Sequence, residues 1–90
     1  MKEFNIIITD ELGIHARPAT LITREAEKYK SEILLILNEK VADCKKGISI
    51  MLLAVKHNNI VTVRVQGPDE DEAMTGIQNV LFKNLASPCA

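Results

Sequence analysis

Ninety residues at 47% hydrophobic composition are enough for one small domain, residues 1–90, with a modest core. A formal net charge of −1 excludes a general attraction to nucleic acid or anionic membrane, and no Trp beside one Tyr and two Phe leaves no stacking platform for bases. No apolar run approaches the roughly 20 residues needed to span a bilayer.

In chain order, Phe4-Asn5-Ile6-Ile7-Ile8-Thr9 is rich in β-branched residues and reads as a strand. A strand-like opening in place of a signal peptide makes the cytoplasm the expected location. Asp10 to Gly13 is a loop that ends on the residue best able to turn the chain. From Ala16 the period changes: Ala19, Ile22, Ala26 and Tyr29 recur at helical spacing and predict an amphipathic helix over 16 to about 29. Ile33-Leu34-Leu35-Ile36-Leu37 is short and branched enough to favour a strand. Lys40 to Asp43 pairs back across Asn38-Glu39, a weaker turn than Asn-Gly because Glu resists positive φ.

Beyond the hairpin, Ile48, Met51, Leu52 and Val55 share one helical stripe, while Ile50, Leu53 and Ala54 cover another. This second helix is apolar over more of its circumference than one buried face requires. Two readings stay open: both stripes enter the core, or one meets a partner. His57-Asn58-Asn59 is a polar loop whose histidine reads as solvated, and Ile60 to Val65 alternates as a strand with Val61, Val63 and Val65 on one face.

After Gly67-Pro68 breaks that strand, Asp69 is placed to cap a third helix and Glu70, Asp71 and Glu72 to complement its positive end. Carboxylates in a first turn ordinarily serve that purpose, so no metal site is expected. Ala73, Ile77, Val80 or Leu81, and Leu85 give this helix its buried face, and Gly76 within it costs on the order of 1 kcal/mol relative to Ala. Cys44 and Cys89 lack surrounding metal ligands and read as reduced thiols. The order βαββαβα predicts an α+β fold with a four-stranded antiparallel sheet and three helices on one face. Its other face, with Ile7, Leu34 and Ile36, is left to water.

The chemistry concentrates in Gly13-Ile14-His15-Ala16-Arg17-Pro18-Ala19. With His15 as N-cap, Pro18 is the third helical residue, where a missing amide costs little. The free amides of Ala16 and Arg17, the helix dipole and the Arg17 guanidinium together make an anion site beside an imidazole. The positive helix end disfavours the imidazolium, and a neutral imidazole keeps the lone pair that can attack phosphorus. A lone His-x-Arg is usually structural; Gly, His, Arg and Pro at a strand-to-helix junction point to reversible phosphoryl transfer.

Leu12-Gly13-Ile14-His15-Ala16-Arg17-Pro18-Ala19, continued through Ala26, Tyr29, Lys45, Met51, Leu53 and Gly67, resembles the histidine-containing phosphocarrier (HPr) family of the bacterial phosphoenolpyruvate-dependent phosphotransferase system. The resemblance covers nearly the whole chain and implies an open-faced β-sandwich. It implies a stoichiometric, monomeric carrier rather than an enzyme, with no cofactor. His15 would accept phosphate on Nδ1 from phosphorylated enzyme I and pass it to IIA domains for sugar uptake, with Arg17 assisting. The membrane would be met only through the transporter. Ile48, Met51 and Leu52 would form the family's apolar docking patch.

Two departures bear on regulation. Lys46 stands where many family members from low-GC Gram-positive bacteria carry a kinase-modified serine, so no regulatory serine is expected, and Asp43 would cap the second helix instead. Ser49, inside the helix, is poorly placed to replace that switch. Gly47 replaces a bulky apolar residue of the docking patch. Leu12-Gly13 and Gly67-Pro68 also resemble the nitrogen-related branch, so a regulatory phosphorelay or adaptor is the alternative to sugar transport. Val65-Gln66-Gly67 faintly resembles the acylphosphatase signature, but that family's early arginine-bearing loop is missing.

Overall fold

Alternation of branched apolar residues with polar ones produces a sheet with one wet and one dry face. The computed structural model describes residues 1–89. Strands β1 (Lys2–Ile8), β2 (Glu32–Leu37), β3 (Lys40–Asp43), β4 (Ile60–Gln66) and β5 (Ala86–Pro88) form one antiparallel sheet in the order β3-β2-β4-β1-β5. Helices α1 (Ala16–Ala26), α2 (Gly47–Leu52) and α3 (Glu70–Asn84) cover one face. Ile6, Ile8, Ile33, Leu35, Val61, Val63 and Val65 point into the core. There they meet Ala19 and Ile22 of α1, Ile50 of α2 and Ile77 and Leu81 of α3. Each fully buried aliphatic side chain contributes roughly 1.5–3 kcal/mol.

On the open face the cross-strand pairs are mixed. Ile7 lies opposite Ile60, Thr62 Oγ1 donates to Asn5 Oδ1 at 2.8 Å, and Arg64 pairs with Glu3. Ile7, Leu34 and Ile36 are half-buried on this face, as their strand positions predict.

The structure changes several details of the prediction. The sheet has five strands, because Ala86-Ser87-Pro88 pairs with β1 although these residues carry no strand signal of their own. Helix α1 stops at Ala26, where Lys28 and Tyr29 donate three residues back, to Glu25 and Ala26, and tighten the chain into a turn. Helix α2 stops at Leu52: Ala54 takes φ +56°, so Val55 is buried beyond the helix and Ala54 is exposed. In the hairpin turn only Asn38 has positive φ, at +57°, which spares Glu39 the expected cost.

The third helix starts where predicted, but Asp69 is not its side-chain cap. Its carboxylate reaches across to accept the Lys30 and Ser31 amides, at 2.8 and 2.9 Å, and the Ser31 hydroxyl at 2.5 Å. These bonds satisfy Ser31, which is fully buried, and tie α3 to the entrance of β2. Glu70, Asp71 and Glu72 do occupy the first turn of α3.

Candidate functional site

The loop between β1 and α1 is pinned at both ends. Thr9 and Asp10 donate their amides to the Leu85 carbonyl at 2.9 and 3.2 Å, and Ile14 donates to the Val55 carbonyl at 3.1 Å. Gly13 sits at φ +69°, and a Cβ there would stand 2.2 Å from the Val55 oxygen. No other residue fits that crossing without moving the backbone. Asp10 closes the turn from within, taking the Gly13 amide on its carbonyl at 3.0 Å and the Leu12 amide on Oδ1 at 2.8 Å.

His15 follows in extended conformation as the N-cap of α1, and its side chain makes no capping bond. The Ala19 amide is the first to find a helical carbonyl, that of His15, at 3.0 Å. Pro18, third in the helix and buried, has no amide to satisfy, so Ala16 and Arg17 present amides with no partner inside the helix. No acidic residue lies in this first turn. The helix end is therefore positive and polarised toward an anion.

Asp10, His15, Arg17, Pro18, Leu21 and Asn84 line an open hollow of about 420 Å³. His15 is 38% exposed at its side chain, and its Nε2 lies 3.9 Å from Asp10 Oδ2. The carboxylate faces one ring nitrogen, a placement that favours a proton there and a lone pair on the other. A larger hollow of about 530 Å³ between α1 and α3 is lined by Glu25, Asp71 and Glu72 and repels the anion that the His15 hollow attracts. Among the described residues, no group of three or more His, Cys, Asp or Glu is arranged to hold a metal ion, and no helix is long and apolar enough to cross a membrane.

The two-stripe ambiguity of the second helix resolves by burial. Ile50 and the following Leu53 enter the core, while Ile48, Met51 and Leu52 are exposed by 76, 48 and 77%. Lys46 is the N-cap of α2 and supplies no side-chain bond; Asp43, expected to cap this helix, accepts the Lys45 amide on Oδ1 in the turn before it. Ser49 Oγ accepts the Asp43 amide at 3.0 Å. A Cβ on Gly47 would meet only Thr23 Oγ1, at an ordinary 3.6 Å, so the missing side chain leaves a notch beside the exposed apolar residues. Cys44 is buried, which pushes its thiol pKa up.

The sequence reading missed two residues near the loop. His57, expected to be merely solvated, places Nδ1 3.2 Å from the Asp10 carbonyl, 47 positions away. Asn84, at the end of α3, lines the His15 hollow while its Nδ2 donates to the Val80 carbonyl at 2.7 Å. Neither carries a local signal, since both arise from packing of distant segments.

The sequence model of the PTS HPr component phosphorylation site matches residues 2–83, all of the hollow except Asn84. This chain belongs to the HPr family. The phosphocarrier protein HPr of Mycoplasma genitalium is 42% identical over 85 residues, covering 93% of this chain and 97% of that protein. A solved Mycoplasma histidine-containing phosphocarrier protein superposes with a TM-score of 0.89 at 36% identity, covering 91% of this chain and 93% of that one. An HPr structure from Thermoanaerobacter tengcongensis gives 0.84 at 36% identity, covering 92% of each chain. As an HPr family member, the chain is a phosphocarrier of the phosphotransferase system, built on the open-faced α+β sandwich that its sequence predicts.

Proposed function

We propose that His15 Nδ1 accepts a phosphoryl group from phosphorylated enzyme I and passes it to a IIA domain in sugar uptake. The observation that carries this reading is the placement of His15 as the uncapped start of α1, beside the free amides of Ala16 and Arg17. Asp10 faces Nε2, which favours Nδ1 as the nitrogen with the lone pair. That pair attacks phosphorus as the bond to the donor breaks. The negative charge spread over the transferred oxygens is met by the two amides, the helix dipole and the Arg17 guanidinium, all in place beforehand. In the onward step the nitrogen–phosphorus bond breaks toward the acceptor, and the imidazole is regenerated without net turnover, so the protein acts as a stoichiometric carrier.

The exposed Ile48, Met51 and Leu52 form the docking patch for both partners. A monomer suits this role, because the same face must be free to meet each partner in turn, and all 90 residues act as one domain in the cytoplasm. Lys46 removes the regulatory serine, and Ser49 does not substitute for it, its hydroxyl lying inside α2 and accepting the amide of Asp43 at the end of β3.

Arg17→Ala removes a charge-assisted donor and should slow transfer in both directions by roughly 10²-fold, with the circular dichroism spectrum unchanged. Rapid-quench measurement of transfer from enzyme I and to IIA checks this. Rates equal to wild type in both directions would take Arg17 out of the mechanism.

A further inference from the structure

We propose that His57 is a positioning residue for the phosphoryl-accepting histidine, acting through Asp10; the inference rests on the reading of His15 given above. Asp10 is held from several sides. Its amide donates to Leu85, its carbonyl accepts from Gly13 and lies 3.2 Å from His57 Nδ1, and its Oδ1 accepts from Leu12. The remaining oxygen, Oδ2, faces His15 Nε2 at 3.9 Å. Because a carbonyl oxygen only accepts, the His57–Asp10 bond requires the proton of His57 on Nδ1.

The segment that carries His57 already frames this loop. Val55 holds Ile14 at the loop's far end, while Asn58 donates to the Ile8 carbonyl at 2.8 Å and Asn59 accepts the Ile8 amide at 3.0 Å at its near end. His57 adds a tie from that segment to the middle of the loop, on the residue whose carboxylate confronts the reactive imidazole. A carboxylate facing a ring N–H holds the tautomer and the ring orientation, as outer partners do for histidines that bind metals. His57 therefore keeps the His15 proton on Nε2 and its lone pair on Nδ1, although it touches neither His15 nor the phosphoryl group. One exposed neutral hydrogen bond corresponds to an effect of about 2- to 10-fold.

The test is long-range ¹H–¹⁵N correlation of the His15 ring at neutral pH, with transfer rates from enzyme I, for wild type, His57→Ala, His57→Asn, Asp10→Asn and the double variant His57→Ala/Asp10→Asn. In His57→Ala the share of His15 with its proton on Nε2 should fall and transfer should slow about 2- to 10-fold. His57→Asn, whose amide nitrogen reaches where Nδ1 does, should restore both. With Asp10→Asn already present, His57→Ala should change neither. An unchanged tautomer ratio in His57→Ala overturns the proposal, as does a loss that His57→Asn fails to rescue, or one that persists in the Asp10→Asn background. The tautomer reading needs no phosphoryl donor, so a wild type that took no phosphate would contradict the carrier reading while leaving this test intact.

Discussion

Ala54 is where the short second helix is stopped. An L residue with an apolar side chain at φ +56° costs about 1–2 kcal/mol relative to the right-handed region. Ala54 is exposed, so no packing of its methyl group accounts for the cost. Ala54→Gly removes the strain but frees the unfolded chain, which returns about 0.4–1 kcal/mol. The net expectation is a gain of about 0.5–1 kcal/mol, read from the midpoint of urea unfolding; a loss would mean that the methyl group is held by contacts after all. Gly76 has the opposite logic. A Cβ there would lie 2.1 Å from Tyr29 Oη and 2.5 Å from Glu25 Oε2, so the helix-weakening residue makes room for the Tyr29–Glu25 bond of 2.6 Å. Gly76→Ala should destabilise by about 1–3 kcal/mol through overpacking. In a Tyr29→Ala background the same change should become neutral or stabilising, since Glu25 Oε2, released from Tyr29, can swing aside and helix propensity then decides the sign. Thermal unfolding of the four proteins gives the sign.

Between elements, the tie from α3 to β2 is an acid-sensitive joint. The Ser31 hydroxyl, then the Lys30 amide, hold the Asp69 carboxyl below the usual carboxylate range. At the C-terminal end of α1, Tyr29 and then Lys28 do the same for Glu25. A depressed folded-state pKa contributes stability that is present above the unfolded value, about 3.9 for Asp, and is lost as pH falls through the folded value. The melting temperature should therefore drop below about pH 4. Asp69→Asn should start lower at pH 7 and lose less on acidification; parallel acid profiles for the two proteins would show that Asp69 is not part of the joint. Glu25 in turn raises the Tyr29 phenol to about 12, so its contribution is lost at the alkaline end as pH rises from about 10 toward that value.

For the molecule as a whole, the sheet, the three helices and the His15 junction were legible because each is written in local pattern: period two in β4, period 3.6 in α1, Gly and Pro at the turns. What was not legible comes from distant segments meeting. Strand β5 exists only because β1 offers an edge, Asp69 serves β2 instead of capping its own helix, Gly76 answers to Tyr29, and His57 answers to Asp10. The exposed stripe of α2 lies between these cases: its apolar excess was visible, but which half faced out needed the packing. The site inherits both kinds of information. Residues 13–19 set the imidazole beside the free amides of α1, and the body of the fold fixes the loop through Leu85 and Val55.

The proposed function rests on a single phosphoryl group carried on Nδ1 of His15. Intact mass and ³¹P NMR, after incubation with phosphoenolpyruvate and enzyme I, test it against the His15→Ala variant. The wild type should carry one acid-labile phosphoryl group per chain, with the chemical shift of a phosphoramidate at Nδ1, and His15→Ala none. An acid-labile phosphoryl group that persists on His15→Ala, or a wild type that takes up none, would contradict it.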